Sequence, residues 1–224
     1  DGSTTQSIYA TTGGGRFCNV TGSNGCLATT NTVQLSVSPG IFAVTGGGQS
    51  CAGGSGVPVG LSGSETGATY QLRLNGLNSG GAVSGTGTAL AFGTLNTAGT
   101  YTVFASNSST GCSSLMNGNA SVSINPNPTV FGFSGGGSYC QGSGGVYAQL
   151  NGSESGATYR LYGSAGGQIS SPFTGTGNPM SVGPLTSTDT YYVTATNNSG
   201  CSSTMTGTVS VNANPAPNLF SVNG

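Results

Sequence analysis

The chain has 224 residues, of which three are Lys or Arg, four are Asp or Glu and 43 are Gly; there is no His or Trp, and 3% of residues are charged, against about 25% in an ordinary globular domain. With cations only at Arg16, Arg73 and Arg160 there is no basic patch for a phosphate backbone, so nucleic-acid binding is disfavoured. No apolar run approaches the roughly 20 residues that span a bilayer, and Asp1 is compatible with a mature N-terminus left after signal removal.

In chain order, residues 1–40 read as a partial or shortened β domain or assembly segment. GCLATTNTVQLSVSPG (25–40) matches the end of a later repeat, GCSSTMTGTVSVNANP (200–215). Residues 41–128 then form a complete repeat. Its alternating apolar positions predict strands at 41–45, 57–62, 68–74, a weak one near 81–84, 88–93, 99–106 and 118–124. Val57, Val59 and Leu61 share one face, and Tyr70, Leu72 and Leu74 face inward while Gln71 and Arg73 face out. The GGG at 46–48 follows a strand but precedes no helix and no GK[ST], so it reads as a flexible bend and not a phosphate loop.

Residues 129–217 repeat this pattern. Cys51 and Cys140 are 89 positions apart, as are Cys112 and Cys201. VGLSGSETGATYQLRL (59–74) returns as AQLNGSESGATYRLYG (148–163), and Tyr101, Val103 and Ala105 return as Tyr191, Val193 and Ala195. Residues 218–224, including Asn218, Leu219, Phe220, Ser221 and Val222, match the start of a repeat and read as the first strand of a following domain or as a donor strand. About seven alternating strands in some 90 residues predict an all-β chain of tandem immunoglobulin-like β-sandwiches, with partial domains at both ends.

Six cysteines imply disulfides and an oxidising, extracellular compartment. Spacing and parity pair Cys51 with Cys112 and Cys140 with Cys201, leaving Cys18 and Cys26 as a local staple. A second pairing stays open. In an immunoglobulin topology Cys51 and Cys112 fall at opposite ends of a domain, beyond the roughly 7 Å that a disulfide allows between Cα atoms. The bridges would then join successive domains, with Cys51 reaching Cys201.

The segments YC-x-GSGG, GSESGATYRLY and TYYVTATNNSGCSSTMTGTVSVNANP, between 139 and 215, resemble the immunoglobulin-like repeats of large secreted surface proteins and adhesins of Bacteroidota. The resemblance covers about 41–217; the departure is at 1–40, where Cys18 and its spacing to Cys26 do not follow the repeat. It implies secretion to the cell surface and roles in adhesion, gliding or extracellular fibres. It brings no catalytic residues.

The candidate chemistry is sparse. Glu65 and Glu154 occupy equivalent loops, one in each repeat, which reads as a turn role and not as a hydrolase pair. Four acidic side chains are too few for a strong calcium site. No His or Lys is present to activate a nucleophile, so the chain does not read as an enzyme and no cofactor or metal is expected. Tyr101 and Tyr191 have the placement of a tyrosine corner. Tyr147, Tyr162 and Tyr192 face outward and are the candidate contacts for a glycan or partner. Asn19, Asn107, Asn119, Asn151 and Asn197 head Asn-x-Ser/Thr sequons. The leading expectation is a secreted structural subunit or stalk segment of an extracellular filament. Its partners would be copies of itself or further repeats. The alternative is an adhesin module that binds surface glycans.

Overall fold

The structure, a computed structural model, describes residues 14–21 and 23–218. The chain divides into two units, Asp1–Ile124 and Asn125–Gly224. The division falls a few residues before the 128/129 boundary read from the repeats. Pro126 and Pro128 explain the difference: their carbonyls accept bonds from Asn197 Nδ2 and Ser203 Oγ, each at 2.9 Å, within the second unit. No helix occurs among the described residues.

In the N-terminal segment, β1 (Gly14–Arg16) pairs with β4 (Val33–Leu35) and β2 (Asn19–Thr21) pairs with β3 (Leu27–Thr29), both antiparallel. The Thr30 N–H donates to the Cys18 carbonyl between the two ladders at 2.8 Å. Phe17, Leu27 and Val33 are exposed, so the described residues of this segment form a narrow hairpin and enclose no sandwich core.

The first unit continues with β5 (Val44–Gly46), β6 (Gly48–Cys51), β7 (Val57–Leu61), β8 (Ala68–Leu74), β9 (Leu77–Asn78), β10 (Val83–Ser84) and β11 (Leu90–Leu95), then β12 (Gly99–Asn107), β13 (Ser113–Leu115) and β14 (Ala120–Asn125). The second unit comprises β15 (Phe133–Gly135), β16 (Gly137–Cys140), β17 (Val146–Leu150), β18 (Thr158–Tyr162), β19 (Phe173–Thr174), β20 (Met180–Leu185), β21 (Asp189–Thr196), β22 (Ser202–Thr204) and β23 (Val209–Asn214).

Each unit sets a small sheet (β11-β7-β5; β15-β17-β20) against a larger one (β10-β8-β12-β14-β6; β16-β23-β21-β18-β19). That is the two-sheet immunoglobulin-like arrangement. The inward-facing alternation forms the core of each unit. Val59, Leu61, Tyr70, Leu72, Tyr101 and Val103 fill the first, and Ala148, Leu150, Tyr159, Leu161, Tyr191 and Val193 fill the second. The N-terminal hairpin repeats a local feature of the second unit. By the match of 25–40 to 200–215, its Asn19↔Thr29 register corresponds to Thr194↔Thr204 between β21 and β22.

The glycine triplets are not loose bends. In each unit the first strand leaves the small sheet and joins the edge of the large one there. β15 pairs antiparallel with β17, and β16 pairs parallel with β23. Gly46, Gly47 and Gly48 have φ of 89°, 88° and 137°, and Gly135, Gly136 and Gly137 have 106°, 78° and 119°, a region that residues with a Cβ avoid. A Cβ at Gly136 would lie 2.6 Å from the Ser210 carbonyl oxygen. The sheet switch therefore requires glycine twice over.

The cysteine reading is corrected. Cys51 and Cys201 are disulfide-bonded, whereas Cys18, Cys26, Cys112 and Cys140 are free thiols. The pairs Cys51–Cys112, Cys140–Cys201 and Cys18–Cys26 are therefore not formed. Register gives the reason for the long pairs. Cys140 ends β16 opposite Asn214, beyond the Asp189 end of β21, while Cys201 adjoins Ser202 at the Thr196 end. The length of β21 between them is roughly 23 Å at 3.3 Å per residue, against the 7 Å limit of about one disulfide span. In the first unit Cys51 ends β6 at the β14 edge, and Cys112 lies by Asn107 at the far end of β12.

Candidate functional site

The most repeated motif, GSE-x-GATY, builds a loop anchor in each unit. Ser64 and Ser153 are buried. Ser64 Oγ donates to the Thr88 carbonyl at 2.6 Å and accepts the Thr86 N–H at 3.0 Å. Ser153 Oγ treats the Asn178 carbonyl and the Thr176 N–H in the same way. The next residue's N–H, from Glu65 or Glu154, donates to the hydroxyl of fully buried Tyr70 or Tyr159 at 2.8 Å. The facing GTG turn must be glycine: a Cβ on Gly85 or Gly175 would fall onto the Glu65 or Glu154 carbonyl oxygen. Among the described residues no buried side-chain nitrogen or oxygen lacks a partner.

The Glu154 carboxylate is structural here. Glu154 Oε2 accepts the Thr129 N–H at 2.9 Å and so ties the strand-leading segment to the loop. Among the described residues no three of His, Cys, Asp and Glu come together as a metal group. Asp189 accepts from Ser164 Oγ at 2.5 Å and from the Thr190 N–H at 2.7 Å. These bonds, the Ser164 hydroxyl foremost, hold its carboxyl below the usual range.

Tyr101 and Tyr191 are tyrosine corners, as their positions predict. Each buried hydroxyl donates to a carbonyl four residues upstream, Thr97 or Ser187, at 2.9 Å. Both residues are buried in the cores of their units.

Of the three outward tyrosines, the structure brings two together. Tyr162 of β18 and Tyr192 of β21 are cross-strand partners, and their rings stack with centroids 5.3 Å apart at 15°. Tyr147 is exposed on β17, in the other sheet. Hydroxyl pairs flank the tyrosine stack on the same large sheet: Thr196 Oγ1 with Ser202 Oγ at 2.8 Å, and Thr190 Oγ1 with Ser210 Oγ at 3.2 Å. In the first unit the Arg73 guanidinium lies 4.3 Å from the Phe104 ring centroid, and Thr69 meets Ser106 at 3.0 Å. This outer face offers flat aromatic surface and hydroxyls with little charge. A cleft of about 440 Å³ also opens in the second unit, lined in part by Leu161, Ile169, Phe173, Pro184 and Tyr191; Ile169 lies in the connection between β18 and β19 and Pro184 within β20.

Of the expected assembly strand, Asn218 is exposed and outside any strand, and Leu219, Phe220, Ser221 and Val222 lie outside the described residues. No helix among the described residues is long and apolar enough to cross a membrane.

Residues 127–215 match the sequence profile of the Ig-like domain described as CHU_C associated. No curated protein matches the sequence. Among solved structures, the fibronectin(III)-like modules of Clostridium thermocellum CbhA are 10% identical, with a TM-score of 0.39 over 81% of this chain and 99% of that one. Sidekick-1 immunoglobulin domains 1-5 are 13% identical, with a TM-score of 0.36 over 92% and 48%. The full ectodomain of mouse nectin-like molecule 4 is 14% identical, with a TM-score of 0.34 over 93% and 76%. The second repeat, residues 127–215, is thus similar to the CHU_C-associated Ig-like domains.

Proposed function

We propose that this chain is a structural segment of an extracellular surface protein, a spacer or filament subunit that assembles end to end with copies of itself or with further repeats. The observation that carries this reading is the internal use of the GSE-x-GATY motif. The polar residues with the strongest look of chemistry, Ser153, Glu154 and Tyr159, are spent on one another and on backbone groups. What remains outside is a nearly uncharged hydroxyl surface, which carries little repulsion between copies. Catalysis has no support in such an arrangement. Sedimentation velocity over a hundredfold concentration range tests the reading: growing oligomers are expected, and a strict monomer throughout would contradict it.

A second reading, an adhesin module for surface glycans, is favoured by one observation, the Tyr162–Tyr192 stack among hydroxyl pairs. Aromatic faces with polar rims suit sugar rings. Tyr192→Ala would then lower retention on a glycan array with no change in oligomer size.

A further inference from the structure

The four cysteines of the two repeats are of two kinds. Cys51 and Cys140 close the strand that has crossed to the edge of the large sheet, at one end of a unit. Cys112 and Cys201 follow the hairpin turn at the other end, where the Asn107 and Asn197 N–H groups donate to their carbonyls at 2.9 Å. One cysteine of each kind, Cys51 and Cys201, is disulfide-bonded. One of each kind, exposed Cys140 and half-buried Cys112, is a free thiol. No unit can join its own two kinds, because the sheet holds them apart.

We propose that Cys140 of one copy and Cys112 of a second copy form a disulfide, so that successive copies are joined covalently head to tail. The inference rests on the assembly reading above. Its oxidant is a small-molecule or protein disulfide. The Cys140 thiolate attacks one sulfur of that disulfide, forming a mixed disulfide and releasing one thiolate. The Cys112 thiolate of the next copy then attacks the Cys140 sulfur and releases the second thiolate. Two protein thiols lose two electrons, one disulfide is reduced to two thiols, and those thiolates take up the two protons. The complementary kinds give the link a direction: Cys140 with Cys140 would close a dimer, whereas Cys140 with Cys112 leaves one thiol of each kind for the next addition.

The test starts from the full chain carrying Cys18→Ser and Cys26→Ser, which removes the hairpin thiols, treated with oxidised glutathione and run on a non-reducing gel. A ladder of covalent multimers is expected. Adding either Cys112→Ser or Cys140→Ser should abolish it, and an equimolar mixture of those two variants should give a dimer whose bridging peptide contains Cys140 and Cys112. Peptide mapping that finds Cys51 and Cys201 still oxidised checks that the variants fold. No ladder, a ladder surviving either single change, or a Cys140–Cys140 peptide would overturn the proposal. Concentration-dependent oligomers of the reduced protein would leave the assembly reading standing without the covalent link; a monomer in both redox states would remove both.

Discussion

The Tyr159 hydroxyl accepts the backbone N–H of Glu154 at 2.8 Å, five residues upstream, and the same bond recurs between Tyr70 and Glu65. A core ring thereby fixes a surface loop. Replacing Tyr159 by Phe leaves the ring in place and strands the Glu154 N–H. The expected loss is about 1–3 kcal/mol of unfolding free energy, the cost of an unsatisfied buried group. Urea unfolding should show a lower midpoint with an unchanged slope.

Ser153→Ala breaks both bonds that hold the facing turn and should cost a similar amount, about 1–3 kcal/mol. Because Ser153 and Tyr159 brace the same loop, the double variant should lose less than the sum of the single losses. A double-mutant cycle in urea measures the coupling, and strict additivity would argue against a shared anchor.

Two glycines of the second unit should respond in opposite directions to alanine. At Gly175 the new methyl falls onto the Glu154 carbonyl oxygen and lies 2.8 Å from the Tyr159 ring, so Gly175→Ala should destabilise by about 1–3 kcal/mol or more through overpacking. At Gly167 the Cβ position is open and φ is not positive, so alanine should stabilise by about 0.4–1 kcal/mol by restricting the unfolded chain. Thermal unfolding of the two variants against the parent checks both signs.

Much of this was legible in the sequence, and the failures share a cause. The strand expected at 68–74 is Ala68–Leu74, because period-two alternation survives wherever one face is buried. Tyr101 and Tyr191 showed their corner role through position alone. The missed strands, Gly48–Cys51 and Gly137–Cys140, have little alternation and follow glycines, so their partners β14 and β23, far along the chain, decide their state. The cysteines failed similarly. Equal spacing of 61 residues reflects the repeat and not proximity, and the topology that separates Cys140 from Cys201 is set by three intervening ladders. Ser153 and Glu154 were visible as a motif, but their partners, the Asn178 carbonyl that accepts from Ser153 and the Thr129 N–H that donates to Glu154, are remote in sequence.

Stability should stay nearly level from about pH 5 to 9. Burial pushes the Tyr159 and Tyr191 hydroxyls above their ordinary 10.0; the Glu154 N–H opposes the shift at Tyr159, and the Asp189 charge adds to it at Tyr191. The folded state holds these protons more tightly. Their contribution is thus complete below pH 10 and is lost as pH rises through the folded values. Asp189, held below its ordinary 3.8 by Ser164 and Thr190, contributes above that value and loses its contribution as pH falls through the folded one. It is only partly buried at the start of β21, so solvent screening keeps its share small. Melting temperatures across the range should therefore fall on the alkaline side first, and Tyr191→Phe should blunt that fall.

Trypsin has three sites. Arg73 and Arg160 lie within β8 and β18, each paired to a neighbouring long strand, while Arg16 sits in the exposed N-terminal hairpin. Mass spectrometry of a limited digest should find one early cut after Arg16 and a core starting at Phe17 that persists. Early cleavage after Arg73 or Arg160 would show that the sandwiches open locally.

The central claim, that these immunoglobulin-like units serve extension and assembly, is tested most directly by negative-stain electron microscopy of the purified chain at high concentration under oxidising conditions. The account predicts filaments or linear strings with a regular spacing along them, which shorten when reductant is added. A field of single, dispersed particles in both conditions would contradict it.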